Sequence, residues 1–292
     1  MTSTLRRHIR AALSRGAGYE AQPLGTRFDG TASAGYFIDF SAKTTTPTSQ
    51  HPERLPPAGL AQLALGWWER AVGGEHEAFE HFDRVVLQLA RRAQRVGDTL
   101  IWEYDMPVPK YGISPPWSSA MAQGQAASVF VRAAMRNEAA ADIAVRSIRP
   151  LIRRTRPLVA ITSVGPVLEE APTVLPSRIL NGWIYALWGV WDTANALGLG
   201  DAAVLFEASA SALRQTIEAY DTGWWSRYSL YANQSDLAKP FYHRLHVDQL
   251  EAMYRLTGWG EFRAVSRRWN GYDKMHRASR AVVVKTLEVA RR

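Results

Sequence analysis

Residues 176–216 read PSRILNGWIYALWGVWDTANALGLGDAAVLFEASASALRQT, and this stretch decides the fold class. From Leu180 to Leu187 the chain is apolar nearly all round, as a helix buried on every side must be. The turn Gly198-Leu199-Gly200 follows, and the residues beyond it carry more charge, which is typical of a helix that faces solvent. The stretch therefore predicts a hairpin of one inner and one outer helix.

The same pattern recurs along the chain, and each copy opens with a proline. The four prolines lie 59, 60 and 64 residues apart, at Pro57, Pro116, Pro176 and Pro240. A repeat of this period predicts a stacked array of helical hairpins, over 58–97, 118–155, 177–219 and 241–291. Ser118 and Ser177 follow two of the prolines and are predicted to cap their helices. The expected fold class is all-α, an incomplete α/α toroid of about four helical hairpins.

Residues 1–57 differ in character from the repeat and are expected to form a short separate arm. Residues 1–15 have the spacing of an amphipathic helix, which we expect to dock on the domain rather than to lie on an acidic membrane surface. A β-like run at 36–40, YFIDF, predicts a β-hairpin in this arm. The helical domain is then expected to cover 58–292.

The composition narrows the class of protein. The first 25 residues lack the unbroken apolar core of a secretory signal, and no apolar stretch approaches the ~20 residues of a membrane span. We therefore expect a cytoplasmic protein without an integral membrane segment. The chain has no cysteine, which excludes a disulfide framework and a thiolate metal site. The His, Asp and Glu residues lack the spacing of the common metal motifs, so neither a metal nor another cofactor is expected.

The charge of the chain bears on its partner. A net charge of +8 and a pI of about 9.9 suit an acidic partner: nucleic acid, anionic lipid or anionic glycan. The chain has no helix-turn-helix, zinc-finger or RRM signature, which argues against nucleic acid. Loops at 98–117 and 220–242 combine aromatic and acidic residues, and the loop at 156–177 carries Glu169 and Glu170. Aromatic faces pack well on sugar rings. We expect an anionic polysaccharide as the partner, and the sequence is compatible with a homodimer.

Several sequence blocks in the helical part stand in the order and at the spacing of a known family. They are WSSAMAQGQA at 117–126, EEAP at 169–172, SRILNGW at 177–183, YDTG at 220–223 and YHRLHVDQL at 242–250. Together they resemble the C-terminal helical domain of the D-glucuronyl C5-epimerase family, over about 55–290. The resemblance implies an isomerase that converts glucuronic acid to iduronic acid within a glycan such as heparosan or a heparan sulfate-like polysaccharide.

Inversion at C5 removes a proton next to a carboxylate and returns one from the opposite face, which needs two acid/base groups. By the resemblance, Glu170 is the base, Tyr242 is the acid and Tyr228 is a further active-site tyrosine. Glu169 is expected at the surface or behind Glu170. The predicted substrate-contacting residues are Trp117, Gln123, Gln125, Arg178, Asn181, Trp225, Arg227, His243, Arg244, His246, Tyr104 and Tyr111. The candidates among them for neutralising the substrate carboxylate are Arg178, Arg227, His243 and Arg244.

One position departs from the family pattern. The family has a tyrosine where this chain has Ala171, so Tyr104 or Tyr111 would have to supply the missing phenol. Restoring the tyrosine is expected to raise activity modestly. The same carbanion could instead expel the C4 substituent, which would make the protein a polysaccharide lyase. Loss of the phenol also fits a glycan-binding protein without turnover, and both alternatives stand beside the epimerase.

Overall fold

The computed structural model describes residues 55–72, 74–233 and 235–290, so the predicted N-terminal helix and β-hairpin lie outside the described residues. Within these ranges the chain forms nine α-helices joined by short strands and 3-10 turns. The helices are α1 (Pro57–Val72), α2 (Ala78–Arg91), α3 (Ala120–Ala134), α4 (Ala140–Ile152), α5 (Leu180–Leu197), α6 (Gly200–Thr216), α7 (Pro240–Thr257), α8 (Gly260–Asn270) and α9 (Met275–Ala290). The all-α class is therefore confirmed. No helix in the described ranges is long and apolar enough to cross a membrane.

The first eight helices pair as hairpins, each with one enclosed and one solvent-facing helix. The enclosed helices α1, α3, α5 and α7 pack side by side in chain order, and α2, α4, α6 and α8 each cover a partner. Helix α5 is the example of an enclosed helix, because every residue from Leu180 to Val190 is buried. The fourth hairpin departs from the prediction, because its outer side consists of two helices, α8 and α9, where one was expected.

Helices α3 and α5 cross with their backbones in contact. A Cβ atom added to Gly189 would lie 2.0 Å from the carbonyl oxygen of Gly124, and one added to Gly124 would lie 2.7 Å from the Cα of Ala186. Further along, Arg132 Nη1 lies 2.7 Å from Asp192 Oδ2 in an ion pair that is almost fully buried. The glycines and the ion pair together fix these two helices against each other.

Short strands occupy parts of the predicted loops, and the first of them replaces the end of the predicted first hairpin, 58–97. They form three antiparallel pairs: β1 (Gln94–Val96) with β2 (Thr99–Ile101), β3 (Glu103–Tyr104) with β4 (Trp117–Ser118), and β5 (Val159–Thr162) with β6 (Gly165–Leu168). In the second pair, Tyr104 lies opposite Trp117 and their rings stack with centroids 4.2 Å apart. The third pair lies against α6 and ends at Leu168, directly before the predicted catalytic segment.

Two of the four predicted helix starts are displaced. Helices α1 and α7 begin at their prolines as predicted, but α3 and α5 begin four residues after Pro116 and Pro176. Ser118 belongs to strand β4, and Ser177 donates hydrogen bonds from its backbone N–H and its Oγ to the Glu169 carboxylate. Neither serine is an N-cap, so that prediction was wrong.

Candidate active site

The Glu170 side chain lies on the first turn of α5, and a glycine gives it room there. A Cβ atom added to Gly182 would lie 2.1 Å from Glu170 Oε2, so no other residue fits without moving the carboxylate. Asn181 Nδ2 donates to Oε2 at 3.4 Å, and the Tyr228 hydroxyl donates to Oε1 at 3.5 Å. Each carboxylate oxygen therefore has one side-chain donor, at the long end of hydrogen-bond distance.

Desolvation by the surrounding protein is the main influence on Glu170, and it raises the pKa of this carboxyl to about 7. The Tyr228 hydrogen bond and the positive charge of Lys110 act in the opposite direction, while the neighbouring charge of Glu169 raises the pKa further. A carboxyl group that is near half-ionised at neutral pH is well suited to take up and release a proton.

Three tyrosines lie around this carboxylate. The rings of Tyr228 and Tyr242 meet edge to face with centroids 4.9 Å apart. Tyr185 on α5 is fully buried; burial raises its pKa, and so do the nearby charges of Tyr242, Asp248 and Glu170. Burial likewise raises the pKa of Tyr228. Tyr185 and Tyr228 therefore stay protonated at neutral pH, and the Tyr228 hydroxyl is the one that donates to Glu170.

The sequence did not predict Tyr185, because it lies in a helix that is apolar on all sides. One signal could have found it: Tyr185 follows Asn181 by four residues, and residues at that spacing share a face of a helix. Since Asn181 contacts Glu170, the residue one turn further along α5 borders the same site.

A lysine beside these tyrosines was also not predicted. Lys110, in the 3-10 turn Pro109–Tyr111, places its Nζ 2.5 Å from Asp236 Oδ2 and 3.0 Å from the Tyr111 hydroxyl. The same Nζ lies 5.1 Å from the centroid of the Tyr228 ring. The other oxygen of Asp236 pairs with Lys285 of helix α9. One buried carboxylate thus holds two ammonium groups next to the site.

Glu169 is neither at the surface nor at the reacting position. Its side chain is buried, and its Oε2 accepts hydrogen bonds from the backbone N–H of Ser177 at 2.9 Å and that of Arg178 at 3.1 Å. Burial raises the pKa of Glu169, and these hydrogen bonds oppose the rise. Arg178 has a φ of +47°, a conformation unusual for a residue with a side chain. Glu169 therefore holds the loop behind Glu170 in a strained shape.

Three predicted substrate contacts lie in the interior. Trp225 is fully buried and stacks on His243 with ring centroids 3.8 Å apart. Ser226 Oγ lies 2.8 Å from Nδ1 of His243 and 3.1 Å from Nδ1 of His246. Burial lowers the pKa of His243 to about 4, so it is neutral at physiological pH. Trp225, His243 and His246 have no exposed surface, and they support from behind the loop that carries Tyr228.

The predicted amides separate into different roles. Gln123 is buried; its Nε2 donates to the carbonyls of Leu100 and Ser147 at 2.8 and 2.9 Å, and its Oε1 accepts from the Trp102 N–H at 3.0 Å. It therefore ties α3 to its neighbours. Gln125 is also buried, and neither polar atom of its side chain has a hydrogen-bond partner among the described residues. Of the three predicted amides, Asn181 is the one that contacts Glu170.

The remaining predicted contacts are half-buried or buried. Trp117 is half-buried against Tyr104, whose pKa is raised by burial and by the charge of Glu170. Arg244 pairs with Asp273 at 2.7 Å, and Arg227 is half-buried in a β-bridge to Leu237. Tyr111 is buried beside Lys110.

A carboxyl group whose pKa burial raises to about 7, a tyrosine hydroxyl and an ammonium group lie together on a helical scaffold. A family model described as the D-glucuronyl C5-epimerase C-terminus matches residues 96–271, and the chain belongs to this family. Over 189 residues the chain is 29% identical to a protein named D-glucuronyl C5-epimerase from Caenorhabditis elegans. Over 181 residues it is 23% identical to an uncharacterized protein of Methanocaldococcus jannaschii.

Both alignments cover 58% of this chain. They cover 31% of the nematode protein and 57% of the archaeal one, so the chain spans only part of the length of these relatives. The range that the family model matches contains Glu170, Tyr228 and Tyr242. The family resemblance inferred from the sequence blocks is confirmed.

Proposed function

We propose that the protein is a uronyl C5-epimerase, an isomerase that converts D-glucuronic acid to L-iduronic acid units in an anionic glycan of the heparosan type. The observation that carries this proposal is the Glu170 carboxylate, with a pKa of about 7, the Tyr228 hydroxyl against it and the Tyr242 ring packed on that of Tyr228. The scaffold in this proposal is an α/α toroid that presents the site at one end of its inner helices.

In the proposed reaction, the ionised Glu170 carboxylate takes the proton from C5, and the electron pair of the broken C–H bond spreads onto the C6 carboxylate. The Tyr242 hydroxyl then gives its proton to C5 from the opposite face, and the C–H bond that forms has inverted configuration. Tyr228 holds the Glu170 carboxylate in place. Exchange with water returns both groups to their starting protonation states. One positioned acid/base group of this kind contributes ~10²–10⁴-fold to a rate.

The test is incubation of a heparosan oligosaccharide with the protein in heavy water, followed by NMR for deuterium at C5 and for iduronic acid. We expect both signals from the wild-type protein, and a ~10²–10⁴-fold loss in Glu170→Gln and in Tyr242→Phe. The exposed Glu138→Gln is the matched control and should retain activity. Because the base must be ionised, kcat/KM should rise with pH through about 7.

Other outcomes would contradict the proposal. An unsaturated, ultraviolet-absorbing sugar end would show elimination, and hence a lyase. Binding of the oligosaccharide without deuterium at C5 would show a glycan-binding protein without turnover. Near-normal inversion by Glu170→Gln would remove Glu170 from the role of base.

A further inference from the structure

Two lysines share the Asp236 carboxylate. Asp236 is 1% exposed, and its two carboxylate oxygens pair with Lys110 on one side and Lys285 on the other. The Lys110 side chain is 29% exposed whereas Asp236 is enclosed, so a ligand can approach the ammonium group of Lys110.

We propose that Lys110 binds the carboxylate of the uronic acid unit and stabilises the negative charge that grows there as the C5 proton leaves. This inference rests on the proposed function. Removal of that proton converts the carboxylate into an enolate-like dianion, and a fixed cation beside it lowers the energy of the transition state. The Lys110 ammonium lies 5.1 Å from the Tyr228 ring, and the Tyr228 hydroxyl contacts Glu170.

Two of the arginines that the sequence suggested for this role, Arg178 and Arg244, interact with other carboxylates. Arg244 pairs with Asp273 at 2.7 Å. The positive charge of Arg178 lowers the pKa of Glu169, whereas it is the charge of Lys110 that lowers the pKa of Glu170. Lys110 is therefore better placed than these arginines to meet a carboxylate held against Glu170.

Lys285 has a positioning role in this arrangement. Its ammonium group shares the Asp236 carboxylate with Lys110, and so weakens the attraction between Asp236 and Lys110. Asp236 also accepts a hydrogen bond from Ser229 Oγ at 2.5 Å, and its carbonyl oxygen accepts one from the Tyr228 N–H at 2.5 Å. Asp236 thus holds the ammonium group of Lys110 and the backbone of Tyr228 in place, and Lys285 connects helix α9 to the site.

The test compares binding of a heparosan oligosaccharide with binding of its carboxyl-reduced form, in which each uronate is a neutral hexose. Wild-type protein should prefer the charged form. Lys110→Met should weaken binding of the charged form by about tenfold to a hundredfold, the usual range for a hydrogen bond to a charged group, and leave binding of the reduced form unchanged. Lys110→Arg should keep most of the preference, Lys285→Met should reduce it partly, and the exposed Lys274→Met is the matched control.

Kinetics give a second readout that a purely structural role would not move. The charge of Lys110 lowers the pKa of Glu170, whereas desolvation and the charge of Glu169 raise it. Removing that charge in Lys110→Met should therefore shift the rise of kcat/KM to higher pH. Equal losses for the charged and the reduced oligosaccharide would overturn the inference, as would an unchanged preference. Should Lys110→Met fail to fold, Lys110→Gln provides the same comparison. If no uronide undergoes exchange in the wild type, the proposed function fails, whereas the binding comparison still decides the role of Lys110.

Discussion

Ala171, the residue that departs from the family pattern, lies in a filled space. It is 3% exposed and packs with Tyr111, Ile113 and Ile179. The ring of Tyr111 meets that of Tyr231 edge to face at 5.3 Å. A small residue at 171 therefore accompanies a large one at 111, and the expectation that a tyrosine at 171 raises activity conflicts with this packing.

We expect Ala171→Tyr to lower the free energy of unfolding by about 1–3 kcal/mol, because it inserts a ring into a packed cluster. It should also reduce C5 exchange, since Tyr111 contacts Lys110. The double variant Ala171→Tyr with Tyr111→Ala should be less destabilised than the sum of the single variants, because it conserves volume. A double-mutant cycle in urea measures this coupling. Additive effects would mean that the two side chains do not share the space.

The residues of the candidate site differ in how far the sequence predicts them. Glu170, Tyr228 and Tyr242 belong to contiguous blocks, so a resemblance finds them. Lys110 and Asp236 stand 126 positions apart, and neither belongs to such a block. Their pairing depends on how the loop after β3 meets the loop before α7, which no local pattern encodes. Residues that come together only through tertiary packing cannot be identified from their spacing in the sequence.

At the scale of elements, the contact between α3 and α5 positions the site. The backbone N–H of Ala120, where α3 begins, donates to the Glu169 carbonyl at 2.9 Å, and α5 carries the Glu170 carboxylate on Gly182. The segment Glu169-Glu170 is thus held between the first turns of two helices. Their spacing depends on the glycines at the crossing.

We expect Gly189→Ala to lower the free energy of unfolding by about 1–3 kcal/mol or more, because its Cβ would lie 2.0 Å from the Gly124 carbonyl oxygen. Since both helices must move apart, C5 exchange should fall as well. Gly200→Ala is the matched control, because a Cβ atom there meets nothing within 4 Å. The free energy of unfolding of this variant should stay unchanged or rise slightly. Urea unfolding of both variants measures the difference, and equal midpoints would contradict the close crossing.

Helices were predictable where their apolar faces are long, as in the 18 residues of α5. Strands were not, because each has two to four residues, fewer than an alternating pattern needs to be recognised. The late start of α5 also has a local cause. The N–H groups of Ser177 and Arg178 bind the Glu169 carboxylate, so this stretch serves the site before the helix begins.

At the scale of the whole molecule, the excess of basic charge determines how strongly an anionic polymer is attracted to the protein. The net charge is +8, and at some acidic residues two basic groups share one carboxylate. Asp98 binds both Arg149 and Arg153, and the hydrogen bond from Arg153 lowers the pKa of Asp98 to about 2. Such clusters stay positive, so the surface attracts an anionic chain over a distance beyond contact.

Salt should separate this long-range attraction from the chemistry. At 0.1 M ionic strength, charges farther apart than about 10 Å are screened, whereas an ammonium group in contact with a carboxylate is screened much less. We expect the KM for a heparosan oligosaccharide to rise as the sodium chloride concentration increases about tenfold, from roughly 20 to roughly 200 mM. The kcat at saturating substrate should stay constant. Arg153→Gln, on the exposed surface, should flatten the salt dependence of KM, because it removes part of the field. It should leave the preference for the charged over the carboxyl-reduced oligosaccharide unchanged, because that preference belongs to Lys110. A fall of kcat with salt at saturation would instead place the screened charges in the chemical step.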